Sequence, residues 1–166
     1  MAHLNRKIGI PSFDMTGKTA IITGAGFAAL KDGSAGSIGY GIATAYAKEG
    51  ANLVITGRNV KKLETAKEKL EAEYGIQVLC VAADVNAGAD NQAVVQNVID
   101  QAIEKFSRID VLVNNAAGMA LKDGRVDEIS LEDWDAVFAS DVRSTFYCTK
   151  TVLPFMQEQG AGSILS

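Results

Sequence analysis

The sequence is poor in the residues that build disulfide frameworks and metal sites. Its 166 residues include two cysteines, Cys80 and Cys148, without C-x-x-C spacing, and one histidine, His3. Both cysteines lie in apolar-periodic segments, so we expect buried, reduced thiols. A single histidine cannot form a metal cluster by itself. The sequence therefore predicts no metal site.

Long hydrophobic runs and an excess of basic charge are also missing. The longest apolar runs, such as residues 20–23 and 111–113, are far too short to span a bilayer. Residues 1–15 lack the apolar region of a secretory signal. The formal net charge is −4, whereas nucleic-acid-binding proteins usually carry a basic stripe. We therefore expect a cytoplasmic protein with no nucleic-acid partner and no membrane partner.

What the sequence does contain is an alternation of short apolar runs and helix-periodic segments. Strands are predicted over residues 18–24, 52–57, 76–85, 109–113 and 163–166, and helices over residues 37–49, 60–74, 90–106 and 131–159. The strands show no polar alternation, and helical crossovers between such strands imply a buried parallel sheet. We predict an α/β, doubly wound three-layer (Rossmann) fold. Residues 1–166 are expected to form one domain that is truncated in its fifth strand.

The stretch TGAGFAALKDGSAGSIGYG, residues 23–41, follows the first predicted strand. In a doubly wound sheet, ligands bind at the carboxyl ends of the strands. Glycines let the backbone approach a pyrophosphate, and the N-terminus of the next helix offers free N–H groups. By itself, a glycine-rich loop is as compatible with a simple chain turn as with a cofactor site.

Arg58 follows the second predicted strand, where this topology places the adenosine ribose. A carboxylate at that strand end favours the free 2′-hydroxyl of NAD(H), whereas an arginine accommodates a 2′-phosphate. Position 57 is glycine rather than an acid. The pattern favours NADP(H), with NAD(H) possible, although Arg58 is also compatible with a solvated cation that starts a helix.

Three motifs at the predicted strand ends resemble those of the short-chain dehydrogenase/reductase family. They are the glycine loop, similar to T-G-x-x-x-G-x-G, Asp84-Val85, similar to the segment whose acidic residue follows the third strand and contacts adenine, and NNAAG at 114–118, similar to N-N-A-G. The resemblance covers nearly the whole chain. It implies dinucleotide binding by Thr23, Gly24, Gly26, Ser37, Ile38, Gly39, Arg58, Asp84, Val85, Asn115, Ala116, Ala117 and Gly118. Asp84 is also compatible with a plain turn, and the asparagines with hydrogen bonds between strands.

The chain departs from the family pattern in its glycine loop. Gly24 and Gly39 are separated by fifteen positions instead of six, so about nine residues, roughly 27–35, are extra. This insertion either folds over the adenosine half of the cofactor or forms a solvent-exposed excursion. Ser37 replaces the middle glycine, as in the divergent enoyl-acyl-carrier-protein reductase branch, although NNAAG argues against that branch.

The family's catalytic residues are only partly matched. Trp134, followed seven residues later by Asp141, resembles the segment that places an asparagine in the catalytic tetrad. Asp141 is therefore the one candidate catalytic residue. The family also needs a serine after the fifth strand and a Tyr-x-x-x-Lys pair, in which lysine lowers the tyrosine pKa for proton transfer. No Tyr-x-x-x-Lys occurs in the sequence, and Ser166 falls a few residues short of the family serine.

We therefore expect the chain to be the N-terminal, cofactor-binding part of a longer protein, inactive when alone. The resemblance implies an oxidoreductase that exchanges hydride between a nicotinamide and a small alcohol or ketone, as a homodimer or homotetramer assembled near residues 140–159. Two alternatives remain open: a dinucleotide-binding module without catalysis, and an enoyl-thioester reductase.

Overall fold

A computed structural model of the chain describes residues 13–31, 33, 36–86, 91–118 and 125–166. Predictions for His3 and for Asp32 in the insertion lie outside these residues. Strands and helices alternate in the predicted order: β1 (Thr19–Thr23), α1 (Ile38–Lys48), β2 (Asn52–Gly57), α2 (Val60–Tyr74), β3 (Val78–Ala82), α3 (Asn91–Phe106), β4 (Val111–Val113), α4 (Leu131–Val137), α5 (Arg143–Gln159) and β5 (Ser163–Leu165).

The five strands form one parallel sheet in the order β3-β2-β1-β4-β5. The chain moves outward from β1 to β3 and then returns to the other side of β1 with β4. The strand order therefore reverses between β1 and β4, which is where doubly wound sheets bind their ligands. The predicted α/β, doubly wound fold is confirmed.

Each face of the sheet buries a separate hydrophobic cluster. Ala20 and Ile22 of β1 pack with α1 and α2, whereas the intervening Ile21 packs with α3 and α5. Both faces are covered, so the strands need no polar positions in their centres. This explains why the apolar runs in the sequence lack alternation.

The long C-terminal helical stretch, predicted over residues 131–159, is interrupted near Ser140. Ser130 caps α4 by accepting a hydrogen bond from the Asp133 N–H at 3.1 Å. A π-helical turn at Phe138–Val142 then joins α4 to α5. Such turns insert one residue into a helix and frequently occur at functional sites. In the described part of the chain, no helix is long and apolar enough to cross a membrane.

A buried carboxylate ties the sheet together at the end opposite the glycine loop. Asp110 is 8% exposed and stands just before β4. It accepts two hydrogen bonds from the Arg108 guanidinium, at 2.7 and 2.6 Å, and one from the Thr19 N–H at 2.9 Å. Lys18 adds an ion pair at 3.3 Å. The chain segments that lead into β1 and β4 are thus both bonded to the Asp110 carboxylate.

The two cysteines carry free thiols. Cys148 lies on the buried face of α5, and burial raises the pKa of its thiol to about 11. Cys80 is only half-buried, and its thiol donates to the Leu63 carbonyl at 3.3 Å. The expectation of burial holds for Cys148, whereas Cys80 is only partly buried.

Candidate functional site: a cleft at the carboxyl ends of the strands

An open cleft of about 310 Å³ lies at the carboxyl ends of the central strands. Its walls come from the glycine loop, the end of β2, the segment after β3 and the NNAAG segment. Most of the predicted site residues line it, namely Gly24, Gly26, Ser37, Arg58, Asp84, Val85, Asn115, Ala116 and Ala117. Residues from four distant stretches of sequence therefore meet in one place.

Other predicted site residues support the cleft without lining it. Ile38 is 78% exposed, and Thr23 is buried. Gly39 and Gly118 pack against neighbouring backbone and side chains, and Asp141 lies behind Gly118.

Thr23 and Asn115 join the glycine loop to the NNAAG segment. The Thr23 hydroxyl accepts hydrogen bonds from the N–H groups of Asn115 and Ala116, both at 2.9 Å, and donates to the Val113 carbonyl at 3.3 Å. The Asn115 amide donates to the carbonyls of Thr23 at 2.8 Å and Gly24 at 3.3 Å. These bonds fix the cleft floor across β1 and β4. Asn115 thus has the strand-linking role that the sequence left open, and it also faces the cleft.

Two glycines in the loop allow the backbone to pack closely. Gly24 has a φ of 70°, a left-handed conformation that favours glycine. A side chain at Gly39 would collide with the Gly24 carbonyl oxygen and would lie 2.9 Å from the Ala25 Cα. The start of α1 can therefore lie directly against the end of β1 only because position 39 is glycine.

The N-terminus of α1 lies directly against this loop. Ser37 caps the helix by accepting from the Tyr40 N–H at 3.4 Å, and it lines the cleft. The first N–H groups of a helix have no partner inside it, and the helix dipole adds partial positive charge. A helix N-terminus of this kind can bind an anion.

The charged side chains of the cleft lie in two places, with the cations after β2 and the carboxylate after β3. Arg58 stands between β2 and the Asn59 cap of α2, and Lys62 follows in the first turn. Both side chains are exposed. Asp84 lies after β3, and its carboxylate accepts from the Asn86 N–H at 3.1 Å. Asp84 therefore forms the turn that the sequence offered as an alternative, while still lining the cleft.

Sequence reasoning missed several residues of the cleft wall. They are Ala28, Thr56, Gly57, Asn59, Lys62, Leu63, Ala83 and Asn86. Asn59 could have been found from the sequence, because an asparagine before a predicted helix is a typical N-cap. Lys62 carries no such signal: it is one lysine among several in α2.

Asp141 acts as a clamp on the NNAAG segment. Its carboxylate accepts from the Gly118 N–H at 2.7 Å and from the Ser140 hydroxyl at 2.7 Å. A side chain at Gly118 would collide with the Ser140 hydroxyl. The backbone carbonyl of Asp141 accepts a hydrogen bond from the Thr145 hydroxyl at 2.8 Å. In this structure Asp141 therefore joins the end of the NNAAG segment to the π-helical turn.

The described part of the insertion lies beside the cleft and leaves it open. Phe27 is half-buried and its ring packs nearly perpendicular to Tyr40, with 5.0 Å between the ring centres. Lys31 is exposed, and from the described residues of the insertion only Ala28 lines the cleft. Neither predicted alternative describes this segment fully, because it begins with an anchored aromatic residue and continues into solvent.

Comparison with known proteins gives a consistent result. A family model described as short chain dehydrogenase matches residues 18–166. A 12α-hydroxysteroid dehydrogenase from a Clostridium species is 44% identical over 154 residues, which cover 90% of this chain and 54% of the relative. A succinyl-CoA-derivative dehydrogenase subunit from Thauera aromatica is 36% identical, covering 83% of this chain and 53% of the relative.

Solved structures give the same picture. NAD⁺-bound xylitol dehydrogenase matches with a TM-score of 0.77 at 27% identity. L-Sorbose reductase from Gluconobacter frateurii, in complex with NADPH and L-sorbose, matches with a TM-score of 0.75 at 32% identity. Each match covers 92% of this chain and 53% of the solved chain. The chain spans about half the length of the relatives that it matches.

Proposed function

The chain belongs to the short-chain dehydrogenase/reductase family, and from that premise we propose that it forms the dinucleotide-binding part of an NAD(P)-dependent oxidoreductase. The reaction is hydride exchange between nicotinamide and an alcohol or ketone. The observation that carries this proposal is the cleft at the reversal of strand order, where a glycine loop, a helix N-terminus and the NNAAG segment meet.

The described residues fit a dinucleotide. The backbone at Gly24 and Gly26, with the capped N-terminus of α1, suits a pyrophosphate because nothing bulkier than a hydrogen stands on these glycines. Asp84 and Val85 would hold the adenine, and Asn115, Ala116 and Ala117 would line the path toward the nicotinamide. When bound, the nicotinamide supplies or accepts the hydride, while these residues orient the cofactor.

We propose that the cofactor is NADP(H) rather than NAD(H). Arg58 lines the cleft directly after β2, and Gly57 offers no carboxylate for a ribose hydroxyl. Replacing Arg58 with alanine should weaken NADPH binding at least tenfold, because a charged hydrogen bond is worth about 1.5–3 kcal/mol. NADH binding should change little. Calorimetric titration of the intact protein measures both, and tighter NADH binding to the unmodified protein would refute the preference.

Catalysis also needs a proton donor. In the family that donor is the tyrosine of Tyr-x-x-x-Lys, which does not occur in these 166 residues. We propose that the 166-residue chain binds the cofactor without turning over an alcohol or ketone. Asp141 would position the NNAAG segment for this chemistry. The same missing pair favours a second candidate, a cofactor-binding module with no catalysis. Hydride transfer to a ketone by the intact protein would exclude the module.

The substrate class follows from the relatives. By their names, three of the four enzymes described above act on a hydroxysteroid, xylitol and L-sorbose. All of these are secondary alcohols or ketones, so a small alcohol or ketone of this kind is proposed here too.

A homo-oligomer forms part of the proposal. Large apolar side chains follow one another at intervals of three or four residues along α4 and α5, and they are exposed: Leu131, Trp134, Phe138, Val142 and Phe146. Exposed apolar stripes of this kind mark protein–protein contacts. Replacing Phe146 with glutamate should split the oligomer, while Glu158→Gln on the same helix should not. If light scattering shows that the unmodified protein is a monomer, this interface is excluded.

The proposed location is the cytoplasm. The acidic composition and the two free thiols support this location. Cell fractionation that recovers the protein outside the cytoplasm would refute it.

A further inference from the structure

The cleft holds a second cation, and we propose that Lys62 is a further contact for the 2′-phosphate of NADP(H), positioned by the interrupted glycine loop. The inference rests on the proposed NADP(H) preference. Lys62 and Arg58 line the same cleft. Among the described residues, neither side chain forms an ion pair. Two unpaired cations at one rim suit a dianionic group.

The backbone of Lys62 is fixed from two sides. Its N–H donates to the side-chain oxygen of Asn59 at 3.0 Å, and its carbonyl accepts from the Phe27 N–H at 2.9 Å. A Cβ at Gly26 would lie 3.1 Å from the Lys62 Cβ. The glycine loop therefore runs directly against the stem of Lys62, and the insertion begins at the residue that bonds to it.

Phe27 is itself anchored. Its ring packs against Tyr40 of α1, and the Lys69 ammonium lies 4.9 Å from the ring centre. The Gly36 N–H donates to the Ala28 carbonyl at 2.8 Å, so the insertion closes on itself before the loop resumes at Ser37. Phe27, the first residue of the insertion, thus acts as a bracket between α1 and α2, and it is the positioning residue that acts through Lys62.

The test uses ligands without nicotinamide, so that binding is measured apart from catalysis. Adenosine 2′,5′-bisphosphate and 5′-AMP differ by the 2′-phosphate alone. Lys62→Met in the intact protein should lower bisphosphate affinity about three- to fivefold, as expected for an exposed ion pair, and leave AMP affinity unchanged. Lys61→Met is the matched control, because Lys61 is exposed in the same turn and does not line the cleft. It should change neither affinity. Equal losses for both ligands in Lys62→Met, or no loss, would overturn the inference.

A double substitution tests the bracket. Phe27→Ala should reduce the preference for the bisphosphate in the unmodified protein and have no further effect on that preference in the Lys62→Met background. An equal reduction in both backgrounds, or none in either, would show that Phe27 does not act through Lys62.

Arg58→Ala separates this inference from the function on which it rests. If Arg58→Ala lowers the preference for the bisphosphate and Lys62→Met leaves that preference unchanged, only the role of Lys62 is refuted. If the unmodified protein binds both ligands equally, the NADP(H) preference itself is refuted.

Discussion

The two ends of the parallel sheet use polar groups in opposite ways. At the amino end, both oxygens of the Asp110 carboxylate are bonded to groups of the same chain. At the carboxyl end, the Ser37 cap of α1, Arg58 and Lys62 line an open cleft. Internally paired groups stabilise the fold, whereas groups directed into the cleft are available to a ligand. Substitutions at the two ends should therefore separate stability from binding.

The largest expected effect is on stability, at the amino end. Asp110→Ala should lower the free energy of unfolding by about 3 kcal/mol, because it leaves the buried Thr19 N–H and the Arg108 guanidinium without their acceptor. Denaturant unfolding measures the loss. Cofactor affinity of the folded variant should stay within about twofold, since additivity holds for distant sites. A large loss of cofactor affinity in this variant would contradict the separation of stability at the amino end from binding at the carboxyl end.

The matched control is Asp127→Ala. Asp127 also pairs with an arginine, Arg125, at 3.0 Å, but both side chains are largely exposed. Its removal should change the free energy of unfolding by less than about 0.5 kcal/mol. Equal losses at Asp110 and Asp127 would mean that burial is not what makes the Asp110 contacts stabilising.

The next effect is at the carboxyl end. Gly39→Ala should lower the free energy of unfolding by about 2 kcal/mol, because the new methyl meets the Gly24 carbonyl and the Ala25 Cα. Cofactor affinity should fall at least tenfold, since the loop and the α1 N-terminus are pushed apart. Dinucleotide titration and thermal unfolding of the intact protein check both.

Gly41→Ala is the control two residues further along α1. A Cβ at Gly41 meets nothing within 4 Å, so alanine should raise stability by about 0.5–1 kcal/mol and leave affinity unchanged. If Gly41→Ala lost as much affinity as Gly39→Ala, the loss would come from substituting a glycine in α1 and not from the contact between position 39 and the glycine loop.

Local signals in the sequence account for most of the fold. The bounds of β2 and α2 were predicted as observed, and Gly75 ends the helix in a left-handed conformation with φ 67°. Residues 76–85 were predicted as the third strand together with its connecting tail. In the structure the strand is Val78–Ala82, and the residues that follow it leave the sheet to line the cleft.

The site was less predictable where it depends on contacts between distant segments. The motifs located Asp84 and Asn115 because these residues follow strands directly. Nothing local links Phe27 to Lys62 or to Tyr40, so the course of the insertion and the second cation could not be read from the sequence. Asp141 was assigned from its spacing to Trp134, and its bond to Gly118 became visible only in the folded chain.

The smallest expected effect is the pH dependence of the amino end. Burial alone would raise the pKa of the Asp110 carboxyl, but the hydrogen bonds from Arg108, Thr19 and Lys18 outweigh it and hold the pKa below its usual value. A lowered folded-state pKa stabilises the fold above the unfolded pKa of about 4, and this contribution is lost as pH falls through the folded value. The stability difference between the unmodified protein and Asp110→Asn should therefore be constant near pH 7 and shrink below about pH 4. A difference that grows on acidification would contradict the assignment.

Hydrogen exchange with and without saturating NADPH tests the division of the sheet most directly. The account predicts slower exchange in the intact protein at the carboxyl end, in peptides that contain Gly24–Gly26, Arg58–Lys62 and Asn115–Ala117. Peptides around Arg108–Asp110 should exchange at the same rate with and without NADPH. Protection confined to the amino end, or no protection at the carboxyl end under saturation, would contradict the claim that this cleft binds the dinucleotide.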